Sequence, residues 1–455
     1  MIHPARLQSL NAVPPREGRY VLYWMQASQR AQCNHALEYA VRQANERKLP
    51  VLAVFGLTAN FPEANARHYA FMLEGLRETQ AALQRRGIPL VARLGSPPEV
   101  ALQLARDAAL LVMDRGYLRL QKQWRQEVAR RAPCPVVQVE TDVVVPVEVA
   151  SAKEEYAART IRPRIQRHLE TYLVPLRETR LKRKWEGPAP EGLDLTDVNA
   201  LLRQLGVSGE VAPVAHFTGG TSQGLAHLEQ FLTHRLARYD TDRNEPKLDA
   251  TSHVSPYLHF GQLSPLEIAL AVREYEGPGP VAYLEELLVR RELSCNFVHH
   301  NAAYNSYEAL PGWARDTLAR HARDRREYLY TREQLERAQT HDPYWNAAMQ
   351  EMLLTGYMHN YMRMYWGKKI IEWSRTPEEA YTTLLYLNNK YFLDGRDPAS
   401  FTNVAWCFGK HDRPWQERPV FGTVRYMNAA GLNRKFDMAG YVQRVSDLAA
   451  RHGGR

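Results

Sequence analysis

Between residues 19 and 140 the chain alternates short, nearly continuous apolar runs with longer stretches of helical spacing. The runs are RYVLYWM (19–25), PVLAVFGL (50–57), PLVARL (89–94), ALLVMD (109–114) and PVVQVE (135–140). Their length suits strands, and continuous apolarity suits a parallel sheet covered on both faces. The stretches 34–47, 64–86, 97–107 and 118–131 place apolar residues at three- and four-residue intervals. This alternation predicts βαβ units, hence a five-stranded, parallel, Rossmann-like sheet over 18–145. Such a sheet binds ligands at the carboxyl ends of its strands. No G-x-G-x-x-G follows the first strand and no phosphate-loop motif occurs, so a nicotinamide or ATP enzyme loses its usual support.

The texture changes twice after that. Residues 146–215 read as a connector with one helix near 157–172 and a Pro-, Gly- and charge-rich remainder. Its KRK run is either a solvated surface or a phosphate contact. From 216 to 445 the pattern is almost entirely helical, with segments at 221–238, 263–275, 280–300, 314–322, 345–373 and 377–388. An α/β domain followed by a larger all-α domain is the expected fold class, with no internal repeat.

Composition narrows the function. Among 455 residues, 59 Lys and Arg against 50 Asp and Glu leave a charge of +9, which permits a polyanionic partner without requiring one. No run of 18 apolar residues exists, and the first twenty residues lack a signal-peptide stretch. No membrane partner is therefore expected, and the cytoplasm is the expected location. The four cysteines (Cys33, Cys134, Cys295, Cys407) have no metal-like spacing, so neither a metal site nor a disulfide framework is expected.

Candidate chemistry gathers in the helical half. In YDTDRNEPKLDATSHVSPYLHFGQLS (239–264), Thr251, Ser252, His253, Val254 and Ser255 form a polar turn before a helix-compatible stretch. Amides and hydroxyls there suit phosphate oxygens, and they equally suit an ordinary helix cap. Tyr239, Arg243 and Asn244 precede the turn and could reach a second anion. In YLEELLVRRELSCNF (283–297), Glu286 and Arg290 lie one turn apart, as do Glu292 and Asn296. They form a solvated face or project into a polar cavity; spacing does not decide. Trp366 and Trp373, seven residues apart, share a helix face, which is ordinary for core residues. LNNKYFLDGRDPASFTNVAWCFGKHDRPW (387–415) mixes Asn, Asp, Gly and Arg with Trp406 and Trp415, a blend that suits a heterocycle bearing phosphates.

TSHVSPYLHFGQLS, EELLVRREL, MRMYWGKKIIEW and LNNKYFLDGRDP, in this order after an α/β domain, closely resemble the class II cyclobutane-pyrimidine-dimer photolyases of the photolyase/cryptochrome family. The resemblance runs from about 18 to 440. It implies a U-shaped FAD in the helical domain, active as the reduced anion FADH−. By matching position, Tyr239, Thr251, Ser252, His253, Val254, Ser255 and Tyr283 would bind it. Arg363 and Asp394 would form an ion pair beside its ring, with Arg396 close by, and Asn388 would face flavin N5. The implied reaction is repair of a dimer in UV-damaged DNA: an electron passes from the excited reduced flavin to a flipped-out dimer and then returns.

Glu286 would hydrogen-bond that dimer. Met364, Trp406 and Trp415 would line its pocket, and Arg243, Asn244 and Arg413 would meet flanking phosphates. Arg290 falls where some photolyases place a Trp against the lesion, and WCFGKHDRPW is one glycine shorter than the family loop. Trp366 and Trp345 match the proximal and distal members of a photoreduction route, with Trp373 a third Trp. The α/β domain would hold an antenna, a deazaflavin or a folate; no residue pattern selects one. A monomer is expected. The rival readings are a cryptochrome-like blue-light receptor without repair, which a retained Glu286, Asn388 and Trp406 and the absence of a long tail argue against, and a flavin-free nucleic-acid-binding protein.

Overall fold

The computed structural model describes residues 2–452. Six strands form one sheet: β1 (Leu7–Ser9), β2 (Tyr20–Trp24), β3 (Val51–Leu57), β4 (Leu90–Leu94), β5 (Ala108–Asp114) and β6 (Val136–Val139). Their order is β1-β6-β5-β2-β3-β4. The five expected strands pair in parallel, and every residue of β2, β3 and β5 is buried. Helices His35–Arg47 and Ala66–Arg85 cover one face; Pro97–Ala105 and Arg119–Arg131 cover the other.

The sheet thus has six strands, not five. The addition, β1, runs antiparallel to β6 along one edge. Three residues with only Leu7 half-buried carry no period to read. Tertiary contact fixes the strand: the buried Arg6 guanidinium donates to the carbonyls of Glu140, Val143 and Val144 at 3.1, 3.0 and 2.5 Å.

The connector is ordered as well. Helix Ala158–Tyr172 lies where expected, and a further helix, Val198–Leu205, packs Leu201 and Leu205 into the core of the sheet. Asp197 caps it by accepting from Ala200 N at 2.9 Å, and Gly206 ends it at a φ of 61°.

In the helical half, three departures from the expected pattern position the site. The 345–373 segment is two helices, Pro343–Thr355 and Asn360–Trp373, because Gly356 closes the first in the left-handed region (φ 71°). The 280–300 segment holds a π-helical turn at Glu285–Arg290, where Arg291 N–H donates back to the Glu286 carbonyl. Such turns recur at functional sites. The stretch after Asp397, polar by composition, is a helix from Pro398 to Cys407, with Asp397 accepting from Ala399 N at 2.8 Å.

Arg67 joins the two halves. Its guanidinium donates to the carbonyls of Ala212, Met352, Tyr391 and Leu353 at 3.2, 3.1, 2.8 and 2.6 Å, so it caps the last turns of two helices of the other domain. Burial lowers its pKa to about 10. Arg67→Ala strips four carbonyls of a donor and should cost about 3–5 kcal/mol of stability. Denaturant unfolding checks this; a loss below about 1 kcal/mol would mean that water replaces the guanidinium.

Candidate functional site

A cavity of about 1090 Å³, partly open to solvent, lies within the helical half. Tyr239, Arg243, Thr251, Ser252, Val254, Ser255, Tyr283, Glu286, Arg290, Arg363 and Asp394, eleven of the residues singled out above, line this one space. They come from the 239–255 segment, the π-turn, helix Asn360–Trp373 and the turn after helix Pro377–Tyr391.

On one wall Arg363 and Asp394 form a bidentate pair, both N–O distances 3.1 Å. The break at Gly356 makes this possible, because it starts a new helix whose first turn carries Arg363. The guanidinium also donates to Met358 O at 3.2 Å and lies 3.9 Å over the Phe392 ring, which holds it flat. On another wall Tyr283 OH donates to Ser252 Oγ at 3.0 Å, and Thr251 Oγ1 shares a hydrogen with Tyr357 OH at 2.8 Å.

At the rim, Arg243 Nη1 donates to Glu286 Oε1 at 2.6 Å, leaving Oε2 without a protein partner among the described residues. The pair sits against Tyr239, whose phenol burial raises to about 12, with the Glu286 charge adding to the shift. Arg243 itself is held above its ordinary value: burial works against its charge, and Glu286 outweighs burial.

Residues not anticipated complete the lining. Asn360 and Asn403 border the cavity with side-chain amides that make no protein hydrogen bond among the described residues, and Ser255 Oγ is likewise free. Asn360 opens its helix and Asn403 sits inside the 387–415 cluster, so proximity to quoted motifs was the only available signal.

Two expected lining residues turn elsewhere. The His253 side chain leaves the cavity: it bonds Asp249 and packs on Tyr357, ring centroids 4.8 Å apart. Its backbone takes a φ of 56°, which turns the chain sharply between Ser252 and Val254, and both of those neighbours line the cavity. Arg396, at a φ of 66°, points back to the α/β domain, donating to Asn389 O at 2.6 Å and lying 3.1 Å from His68 Nε2. It borders a second cavity, not the first. Asn388 is not part of the lining either: it is buried, its amide donating to Asn389 Oδ1 at 2.9 Å, with its own Oδ1 free of protein partners among the described residues.

Other candidates lie outside the lining. Met364 follows Arg363 and is half-buried, as is Asn244. Trp406 sits between two cations, Lys368 at 5.2 Å and Arg425 at 5.5 Å from its ring. Trp415 is 40% exposed on the loop after helix Pro398–Cys407, with Arg413 at 5.3 Å and Arg425 at 4.0 Å.

The tryptophans form a buried column. Trp345 and Trp366 stack with centroids 6.2 Å apart and 15° between planes, and Trp345 Nε1 donates to Trp366 O at 3.0 Å. Trp373 meets Trp345 edge-on, with centroids 5.7 Å apart and 66° between planes.

The second cavity, of about 1010 Å³, lies between the domains at the carboxyl ends of β2, β3 and β5. Phe55, Phe61, Tyr69, Trp124 and Phe260 give it aromatic walls, and His259, Asp397 and Arg396 give it polar ones. Among the described residues no cluster of side chains could hold a metal ion, and no helix is long and apolar enough to cross a membrane.

Comparison with known proteins gives a consistent picture. The DNA photolyase family model matches residues 21–182. The deoxyribodipyrimidine photo-lyase of Methanothermobacter thermautotrophicus is 52% identical over 98% of this chain and 99% of that protein. The Arabidopsis thaliana enzyme of that name is 42% identical over 94% and 89%. Among solved structures, a class III photolyase from Agrobacterium tumefaciens superposes with a TM-score of 0.74 at 19% identity, over 95% of this chain and 88% of that one. An archaeal photolyase from Sulfolobus tokodaii, solved with two FAD molecules, gives 0.71 at 16% identity, over 94% and 92%.

Proposed function

The chain belongs to the DNA photolyase family, and from that premise we propose that it is a class II photolyase splitting cyclobutane pyrimidine dimers by light-driven electron transfer. Its general activity is photolyase DNA repair, and FAD is the cofactor that goes with it. One observation carries the finer reading. The Arg363–Asp394 pair, the Thr251–Ser255 turn and Glu286 all face a single cavity with an open rim.

The residues present fit FAD. Free polar groups on Ser255, Asn360 and Asn403 and the hydroxyls of Thr251 and Ser252 suit a phosphate-bearing ligand. Arg363, held by Asp394 and Phe392, is a fixed cation that favours a negative charge on the neighbouring ring system. Asn388 Oδ1 is available to accept from flavin N5–H. When bound, reduced and excited by light, FAD supplies an electron to the dimer and regains it once the ring has opened.

The protein does the rest by position. Two fused bases must leave the duplex stack to enter the rim, and a damaged pair costs less to flip than an intact one. Glu286 Oε2 is free to accept from a thymine imino N–H, while Arg243 holds the other oxygen. Arg243 and Arg290, at the rim, offer guanidinium groups to nearby phosphates. The second cavity is the place for an antenna chromophore, since its aromatic walls suit a flat heterocycle.

Glu286→Ala should lower the yield of dimer repair about tenfold, the worth of one hydrogen bond to a charged group. Bound FAD, read from the visible absorption of the purified protein, should be unchanged. The same repair yield in variant and parent would remove Glu286 from the chemistry.

A further inference from the structure

We propose that the groove between helix Arg119–Arg131, the edge strands β1 and β6 and the end of helix Arg291–His300 is a binding site for a small anion bearing two or more phosphate groups. The groove encloses about 1150 Å³, shares no lining residue with the cavity of the helical half and shares only Arg115 with the cavity between the domains. It lies at the far end of the helix that the π-turn begins, away from Glu286 and Arg290. The site is therefore independent of the repair reading.

Lys122, Arg125, Gln126, Ala129 and Arg130 recur at three- and four-residue spacing, so one face of helix Arg119–Arg131 lines the groove. Arg115 joins them from the end of β5. Against these four cations the lining offers one carboxylate, Glu148. Glu148 is already engaged by Arg115, which donates to it from Nη1 and Nη2 at 3.2 and 2.9 Å and also reaches Glu140 at 3.3 Å. Lys122 Nζ donates to His299 O at 2.7 Å. Arg125 Nε donates to Gln138 Oε1 at 3.0 Å, and its two Nη groups have no protein acceptor among the described residues. Arg130, exposed at the mouth, has none there either.

Burial makes Arg125 informative. A partnerless arginine on the surface is simply hydrated, but Arg125 is 8% exposed. It stands at the back of the groove, with a smaller chamber beside Trp24 and Trp124 behind it. Burial, then the neighbouring Arg115, lowers its pKa to about 10. Burial, then Arg125 and Arg115, lowers that of Lys122 to about 8. Burial, then Arg115 and Lys122, holds His299 well below the ordinary histidine value, so it adds no charge. Mutually repelling, partly buried cations with free donors gain most from a polyanion that comes between them. The terminal phosphate of a small molecule can reach a guanidinium this deep, whereas the diester backbone of a duplex stays outside the surface. Because the walls come from both halves of the chain, an anion held there also ties the halves together and should raise the thermal unfolding temperature.

Calorimetric titration of the FAD-loaded protein with pyrophosphate tests the site. Binding with a Kd on the order of 0.1 mM at physiological salt is expected. Gln126 is exposed and makes no protein hydrogen bond among the described residues, so it can be changed without disturbing the fold. Gln126→Lys should lower the Kd about threefold to tenfold, and Gln126→Glu should raise it by a similar factor. Misfolding cannot strengthen binding, so the lysine variant guards against it. Gln123→Lys, exposed on the same helix but outside the groove, should change the Kd less than about twofold. Arg125→Met should abolish both the binding and the rise in unfolding temperature. No binding up to about 10 mM pyrophosphate, equal affinities in the parent and both Gln126 variants, or an effect of Gln123→Lys as large as that of Gln126→Lys would overturn the assignment. Displacement of pyrophosphate by undamaged duplex DNA would overturn it too, by giving the groove to nucleic acid.

Discussion

Trp366→Phe should all but abolish photoreduction of the oxidised flavin while leaving dimer repair by chemically reduced protein intact. Trp366 is three residues beyond Arg363 on the same helix, and Trp345 stacks on its far side at 6.2 Å. Both rings are buried among apolar side chains, out of reach of water-borne reductants. Trp366 is thus the step between the cavity wall and the rest of the column. Among the described residues the indole Nε1 of Trp366 has no hydrogen-bond partner, whereas that of Trp345 is tied to Trp366 O, so substituting Phe for Trp366 breaks no polar contact of its ring there. Phenylalanine is far harder to oxidise and keeps the packing, so the rate should fall on the order of a hundredfold, about 2.7 kcal/mol of barrier. Flavin bleaching under illumination with an external reductant reads this directly. An undiminished rate would mean that electrons enter by another route.

Asp394→Ala should strip the protein of its flavin. Asp394 is the only carboxylate within reach of Arg363 among the described residues, and both groups are largely shielded from water. Removing it leaves a mostly buried guanidinium with one carbonyl acceptor, a change worth about 3–5 kcal/mol. If about 3 kcal/mol of that appears in binding, affinity for FAD falls by about a hundredfold. The purified variant should be nearly colourless, and thermal unfolding should show whether the fold persists without cofactor. Asp394→Asn, which keeps the shape and one acceptor, should retain more colour. Full flavin content in Asp394→Ala would show that the pair does not anchor the cofactor.

Much of this architecture was legible in the sequence because burial on both faces writes a continuous apolar run. The five parallel strands have that signature, and their helices have the three-to-four spacing. β1 has neither, since a three-residue edge strand is defined by Arg6 and its carbonyl partners. The helix Pro398–Cys407 hid within a polar cluster because Asp397 and Pro398 look like loop residues until they are seen as cap and first turn.

The site was legible as a neighbourhood, not as a set of directions. Motifs placed Thr251–Ser255, Glu286, Arg363 and Asp394 near one another, but a motif does not report a φ. His253 and Arg396 both adopt left-handed backbone, and in each the side chain swings away to a partner far less evident from sequence: the aromatic cluster around Tyr357 for one, and His68 in the other domain for the second. Seven-residue spacing put Trp366 and Trp373 on one face. The contact between Trp345 and Trp366 depends on two separate helices meeting, which the break at Gly356 allows and no periodicity encodes.

The most direct test is to incubate reduced protein anaerobically with a duplex carrying one thymine dimer, divide the sample between blue light and darkness, and count dimers after digestion. Loss of dimers in the light, with two intact thymines regained for each and no loss in the dark, is what the cavity with its facing Glu286 and Arg363–Asp394 pair predicts. Equal dimer content in both halves, from protein that carries its full complement of reduced FAD, would contradict it.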